Sequence, residues 1–155
     1  MQQASIELLS FEIGSQRFGV AVVDVCEIAR VVAFARLPKA PRIVEGVINF
    51  RGAIVPVLDI RSRLQLPHKA VELSDHLVVA RAKGRTVCIR VDRIVDFLTV
   101  GLEDIEDIEV VTSKSEYVAG VAKLPGDILL IHDLATFLSE AEAETLNTLE
   151  GRLQS

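Results

Sequence analysis

An internal repeat restricts the fold of this sequence more than any other feature. Five apolar positions recur 69 residues later, as Phe18, Val20, Val22, Val25 and Ile28 and then as Val87, Ile89, Val91, Ile94 and Phe97. Their steps of two and then three residues predict a strand that passes into one helical turn. The strand before it recurs in the same way, and a link containing glycine follows that strand in both copies, which favours a β-hairpin.

A second match lies 74 residues apart. The segment GVINFRGAI at 46–54 corresponds to GVAKLPGDI at 120–128, and Asp59 corresponds to Asp133. Each copy is typical of a strand, a glycine turn and a second strand, followed by an aspartate suited to cap a helix. Two matches in the same order indicate that the chain is a duplicated β unit.

The duplication and the composition together predict a mostly β fold. Valine and isoleucine number 34 of 155 residues, and such β-branched residues favour strands. Each copy supplies about four or five strands, enough to curl into a small barrel that leaves no exposed sheet edge. We expect a first barrel over residues 5–66 and a second over 74–137, joined near 66–69, where proline and polar residues interrupt the pattern.

Short helical segments are expected beside the strands. Asp24 and Glu27 resemble a capping box at a helix start. An apolar stripe at helical spacing predicts an amphipathic helix docked on a barrel, within residues 138–155. Its members are Leu134, Phe137, Leu138, Ala141, Thr145, Leu146, Leu149 and Leu153.

The charge of the chain disfavours two classes of partner. Its formal charge is −5, so it has no electrostatic attraction to nucleic acid or to an anionic membrane. No signal peptide or membrane-spanning stretch is visible in the sequence. Cys26 and Cys88 lie in no CxxC pair, and we expect both to be buried free thiols in a reducing cytoplasm.

Catalytic and metal-binding patterns are not apparent in the sequence. His68, His76 and His132 lack metal-ligand spacing, and no phosphate-binding or nucleophile motif occurs. The acidic segment 103–109 lacks the register of a calcium loop, so we interpret it as a solvated loop or helical turn held by Ile105 and Ile108. We therefore expect no catalytic residue, no cofactor and no metal.

A surface arginine is the best candidate for an interaction. Arg51 stands in a turn bounded by glycine, where its guanidinium is available for a bidentate contact with a carboxylate. The second copy has lost this arginine, which suggests that the two halves have different partners.

The turn and its surroundings resemble a known signature. The segment GVINFRG at 46–52, followed by VPVLDIR at 55–61, resembles that of the CheW-type chemotaxis coupling proteins. The resemblance extends from about residue 6 to residue 138. It implies two small five-stranded, SH3-like β-barrels, in agreement with the duplication.

The resemblance also implies a function. Proteins of this type are cytoplasmic adaptors without catalysis or cofactor that join the cytoplasmic tip of a chemoreceptor to the regulatory domain of a CheA-type histidine kinase at membrane receptor arrays. The positions that match the family's receptor-facing surface are Val25, Glu27, Gly46, Asn49 and Arg51. The outer face of the second barrel would meet the kinase, and Val87 is assigned to it.

Two alternatives stay open at this point. One is a coupling protein of a chemotaxis-like surface-sensing or motility pathway. The other is a ligand-binding β-barrel, which requires a concave polar pocket with perturbed titratable groups.

Overall fold

A computed structural model describes residues 4–82, 84–107 and 118–154 of the chain. The strands in this part of the chain are β1 Ser5–Ile13, β2 Gln16–Ala21, β3 Val25–Arg30, β4 Val44–Phe50, β5 Ala53–Leu58, β6 His76–Ala82, β7 Arg85–Val91, β8 Arg93–Gly101, β9 Ile105–Asp107, β10 Val118–Leu124 and β11 Asp127–His132. Short 3₁₀ turns span Val22–Asp24, Leu102–Asp104 and Leu134–Thr136, and the helix α1 spans Glu140–Gln154.

The predicted duplication is confirmed in the strand boundaries. Adding 74 to the bounds of β4 gives those of β10, and adding 74 to those of β5 gives those of β11. The 3₁₀ turn Val22–Asp24 directly precedes β3, so the expected passage from a strand into one helical turn is also present.

The strands form two sheets with the same topology. Sheet A has the order β8-β1-β2-β11-β10-β9, and sheet B has the order β3-β6-β7-β5-β4. Replacing each strand of sheet B by its repeat counterpart gives the order of the first five strands of sheet A. Both sheets contain one parallel pair, β2 with β11 and β5 with β7, and their other pairs are antiparallel.

Each sheet draws strands from both halves of the chain, so the predicted division into 5–66 and 74–137 is wrong. The hairpin β1–β2 pairs with β8 and β11, and the hairpin β6–β7 pairs with β3 and β5. The repeat predicts which segments are strands, but long-range contacts decide which sheet each hairpin joins. Because each hairpin sits in the sheet of the other half, the two halves interlock.

Both sheets curl into barrels, as expected. The edges of a flat five-stranded sheet would lie about 19 Å apart, at about 4.8 Å per strand. In sheet B, however, Ala35 just beyond edge strand β3 pairs with Val47 of edge strand β4. In sheet A the edge strands β8 and β9 are joined by a turn of only three residues. Sheet B has the five strands expected, and the short β9 gives sheet A a sixth.

Three apolar clusters hold the fold together. One fills the interior of sheet A, with Leu8, Val100, Ala122, Leu129 and Ile131. Another fills sheet B, with Val55, Val57, Leu77, Val79 and Cys88. The largest lies between the sheets and includes Leu9, Phe11, Phe18, Val78, Ile89 and Phe137. Neighbouring residues of β1 and β6 enter different clusters, so these hairpin strands are buried on both faces.

A buried ion pair connects the two sheets. The guanidinium of Arg61, beyond β5, donates to both carboxylate oxygens of Asp92, which follows β7. The backbone N–H of Gly14, in the β1–β2 turn of sheet A, donates to the same carboxylate at 2.7 Å. Burial alone raises the pKa of Asp92, but the hydrogen bonds from Arg61 and Gly14 and the charge of Arg61 together hold that pKa below its usual value.

The C-terminal helix packs on the body of the fold through one buried leucine and two ion pairs. Leu146 is fully buried. Arg63 forms an ion pair with Glu142, and Arg85 forms one with Glu150. The helix α1 begins with a capping box that the sequence reasoning did not identify. The Ser139 hydroxyl accepts from the N–H of Glu142 at 3.1 Å, and the Glu142 carboxylate accepts from the N–H of Ser139 at 2.9 Å.

Two expectations about helices are wrong. Asp24 makes no capping hydrogen bond and Glu27 lies within β3, because the turn before β3 is a single 3₁₀ turn that a strand follows at once. The apolar stripe is not continuous either. Leu134 belongs to a separate 3₁₀ turn, while Ala141 and Thr145 are exposed on α1.

The interlocked sheets predict that neither half folds alone. Residues 1–66 lack β8 and β11, which flank the hairpin β1–β2, and residues 67–155 lack β3 and β5, which flank the hairpin β6–β7. We expect each fragment alone to show no cooperative unfolding transition by circular dichroism, and an equimolar mixture to regain one. Cooperative unfolding of the isolated 1–66 fragment would contradict this topology.

Substitution of Asp92 should destabilise the protein strongly. Asp92→Asn leaves the buried Arg61 without a counter-charge, which should lower the free energy of unfolding by about 3 kcal/mol in urea titrations. Because the pKa of Asp92 is lowered on folding, its stabilisation is present above the unfolded value, near 3.9, and is lost as the pH falls through the folded value. The difference between variant and wild type should therefore shrink in acid.

Asp96 provides a matched control. Its carboxylate is half-exposed and pairs with Arg17 at 3.0 Å. Asp96→Asn should change the free energy of unfolding by less than about 1 kcal/mol. A loss as large as that of Asp92→Asn would show that the buried pair has no special role.

Candidate functional site

The turn between β4 and β5 presents Arg51 to solvent. Arg51 and Gly52 are its two central residues, and their φ angles of 53° and 85° fit a type I′ hairpin turn. The side chain of Asn49 fixes the turn by accepting a hydrogen bond from the N–H of Gly52 at 2.9 Å. Asparagine or glycine is favoured at the first central position, so arginine is held there at a cost of about 1–2 kcal/mol. The prediction that the turn holds Arg51 outward is confirmed by a side chain that is 70% exposed.

Arg51 has two weak contacts that leave most of its donors available. Its Nη2 lies 3.6 Å from Oε1 of Glu27, across the closure of sheet B. Its guanidinium carbon lies 4.8 Å from the centre of the Phe50 ring. Exposed ion pairs of this kind contribute about 1 kcal/mol or less, so a partner could replace Glu27 with little loss.

Gly46 has a structural reason to be glycine. A Cβ atom at this position would lie 2.5 Å from the carbonyl oxygen of Ala35 and 2.6 Å from the Phe34 ring. The segment around Ala35 crosses directly over Gly46 and exchanges two backbone hydrogen bonds with Val47, of 2.7 and 3.0 Å. A larger residue would displace this segment, so glycine at position 46 determines how closely the segment around Ala35 packs on β4.

The five residues assigned to the receptor-facing surface all belong to sheet B or its β4–β5 turn. Of these, Glu27, Asn49 and Arg51 are exposed, and Glu27 and Arg51 are in direct contact. Val25 is half-buried against the core between the sheets, and Gly46 is buried.

The assignment of Val87 to an outer face is wrong. Val87 is only 2% exposed and belongs to the core between the sheets. It lies on β7, the central strand of sheet B, which is covered on both faces. A partner protein has no access to this side chain in the folded chain.

The sequence reasoning missed a cleft next to Gly46. Segments 34–42 and 68–71 line a depression of about 750 Å³ that includes Arg36, Lys39, Arg42, Glu45 and Lys69. The available signal was the presence of three cations within the seven residues 36–42, interrupted by two prolines.

Buried charges form the back of this cleft. Arg90, on β7, donates to both carboxylate oxygens of Glu45 at 2.8 Å and to Asp75 at 2.9 Å. The hydrogen bond with Glu45 outweighs burial and raises the pKa of Arg90. The negative charge of Glu45 is thus compensated by the guanidinium of Arg90.

A family model described as the CheW-like domain matches residues 7–142. This chain belongs to the CheW-like family. The chemotaxis protein CheW of Rhizobium meliloti (strain 1021) is 33% identical over 140 residues, covering 89% of this chain and 90% of that protein. The chemotaxis protein CheW of Klebsiella aerogenes is 30% identical over 138 residues, covering 88% and 83%.

A solved structure has the same fold. The crystal structure of the scaffolding protein TtCheW from Thermoanaerobacter tengcongensis has a TM-score of 0.82 to this chain, with 23% sequence identity. The match covers 90% of this chain and 96% of that one. The mostly β fold with two barrels is therefore the CheW-like fold.

The acidic segment forms a turn and a short strand where it is described. Leu102–Asp104 is a 3₁₀ turn, and β9 pairs with β10. Ile105 packs against the interior of sheet A, as expected, whereas Ile108 and Glu109 lie outside the described residues. Within 4–82, 84–107 and 118–154, no three His, Cys, Asp or Glu side chains are placed to hold a metal, and no helix could span a membrane.

The two cysteines have different environments. Cys88 is buried as expected, and burial raises its pKa to about 12. Cys26 is exposed on β3 beside Glu27, so the expectation that both thiols are buried is wrong. The apolar pattern of β3 did not reveal that it is an edge strand.

The thiols predict selective labelling. In the native protein a maleimide should react with Cys26 alone, because Cys88 is inaccessible and protonated. Mass spectrometry should show one adduct in buffer and two in denaturant. Two adducts in the native protein, or one adduct that persists in Cys26→Ser, would contradict this assignment.

Proposed function

We propose that this chain is a non-catalytic adaptor of chemotaxis signalling, which couples the cytoplasmic tip of chemoreceptors to a CheA-type histidine kinase. The observation that carries the proposal is the CheW-like match over residues 7–142, shared with chemotaxis proteins aligned over most of their length. The adaptor works in the cytoplasm and is recruited to membrane receptor arrays by its partners.

The proposed receptor-binding surface is centred on Glu27, Asn49 and Arg51. The strained turn presents the guanidinium, and Asn49 holds the turn in place. Since Glu27 binds Arg51 only weakly, a carboxylate of the receptor can take a bidentate position on the guanidinium. Val25 and Gly46 contribute indirectly. Val25 anchors β3 on the core between the sheets, and Gly46 allows the segment at Ala35 to pack closely on β4.

The proposed kinase-binding surface is the outside of sheet A, without Val87. This sheet exposes large apolar side chains, among them Phe97 at 62% and Ile128 at 55%. Apolar side chains that become buried in a complex supply much of the affinity of protein interfaces. A kinase domain with the same double-barrel fold could cover them without any bound cofactor.

Arg51→Asn should separate receptor binding from folding. Asparagine is favoured at the first central position of a type I′ turn, so the thermal midpoint should not fall. Loss of the guanidinium should weaken binding of a receptor-tip fragment by about tenfold in calorimetry, while co-purification of the kinase is unchanged.

Arg93→Asn provides the matched control. Arg93 is 62% exposed and pairs with Glu12 on sheet A, as Arg51 pairs with Glu27 on sheet B. This variant should bind the receptor fragment as wild type does. Wild-type receptor affinity in Arg51→Asn, or an equal loss in both variants, would refute the proposed receptor surface.

A further inference from the structure

The cleft beside Gly46 carries positive charge that no other described residue neutralises. Arg36, Lys39 and Arg42 are exposed and line it. Among the described residues none of the three has an ion-pair partner, whereas Arg17, Arg51 and most other described cations do. Three unpaired cations therefore share one wall of one cleft, on a chain whose formal charge is −5.

The acidic groups of the cleft are already bound. Both carboxylate oxygens of Glu45 accept hydrogen bonds from Arg90. Lys69, which also lines the cleft, is paired with Glu72 at 3.5 Å and with Asp92 at 3.7 Å. The charge left for a ligand is thus that of Arg36, Lys39 and Arg42.

Backbone strain marks the same wall. The N–H of Ala40 donates to the carbonyl of Leu37 at 3.2 Å, which closes a turn with Pro38 and Lys39 at its centre. Lys39 has a φ of 65°, a position in a type II turn where glycine is strongly favoured. A lysine kept in this conformation at the edge of the cleft points to a role beyond folding.

We infer that this cleft, between segments 34–42 and 68–71, docks an acidic peptide segment of a partner protein. Carboxylates would bind Arg36, Lys39 and Arg42, and apolar side chains of the segment would meet Phe34, Leu37 and Val71 on the cleft lining. The cleft volume of about 750 Å³ lies within the range of ligand-binding sites, which suits a short stretch of chain.

A peptide fits the site better than a nucleic acid or a phosphate group. A long phosphate polymer would meet the net negative charge of the whole chain, whereas a short segment senses charges only within about 8 Å at physiological salt. Pro38 and Pro41 have no N–H, so this wall offers few of the backbone donors that cradle phosphate.

The cleft adds a second docking point to the proposed adaptor. Phe34, which lines the cleft, is also the side chain that excludes a Cβ at Gly46. Gly46 therefore supports the cleft wall as well as the neighbouring turn. Because the cleft and Arg51 involve different side chains, each can be tested while the other is intact.

The test measures binding of a fluorescein-labelled oligoglutamate peptide by anisotropy, with an oligoglutamine peptide as the uncharged reference. The double variant Arg36→Gln with Arg42→Gln should bind oligoglutamate about tenfold more weakly than wild type. The matched double variant Arg30→Gln with Arg81→Gln removes the same charge from exposed arginines outside the cleft, and it should bind as wild type does. Affinity of the wild type should fall as salt is raised.

A further variant separates binding from stability. Lys39→Gly should raise the thermal midpoint by relieving the positive φ, and should still weaken oligoglutamate binding. The inference is overturned if wild type binds oligoglutamate no better than oligoglutamine, or if both double variants lose affinity equally. It is also overturned if an oligonucleotide displaces the peptide at lower concentration, or if the cleft variants change only self-association in sedimentation.

Discussion

Burial of two hairpins on both faces is the constraint on which this fold depends. Strand β1 sends Leu8 into sheet A and Leu9 into the core between the sheets, and β6 divides Val78 and Val79 in the same manner. A strand of this kind needs cover on each side, which one small barrel alone cannot provide. Packing of the second sheet against the first supplies that cover. The closure of sheet B brings Glu27 of β3 into contact with Arg51.

The sequence was sufficient for most of the strands but not for the order in which they pair. Offsets of 69 and 74 predicted the strands, the duplication and the exposed arginine, because these depend on local periodicity and turn chemistry. The exchange of hairpins, the burial of Val87 and the exposure of Cys26 depend on the order of strands in a sheet. A repeat cannot reveal this order. Whether each hairpin lies in the sheet of its own half or in that of the other half, equivalent strands pair and the same apolar pattern is buried.

Positive φ angles on cationic residues link the two surfaces of sheet B. Arg51 and Lys39 both occupy positions where glycine or asparagine would be more stable. Each lies in a turn fixed by a hydrogen bond, and each places a charge outside the protein. The scaffold tolerates this strain because neither Arg51 nor Lys39 belongs to an apolar cluster or to the Arg61–Asp92 pair. Arg51 and Lys39, the strained cations of the two proposed docking surfaces, thus lie in connections, whereas the apolar clusters that stabilise the fold lie mainly on the strands.

The exchange of hairpins has a consequence for the origin of the chain. A polypeptide with a single repeat would reproduce this strand pairing by lending its hairpin to a second copy and receiving that copy's hairpin in return. The result would be a two-fold symmetric, domain-swapped homodimer with the same cores. The connection from Leu58 to His76 would then be a covalent fusion of two former subunits, after which one former subunit could lose its arginine while the other kept it.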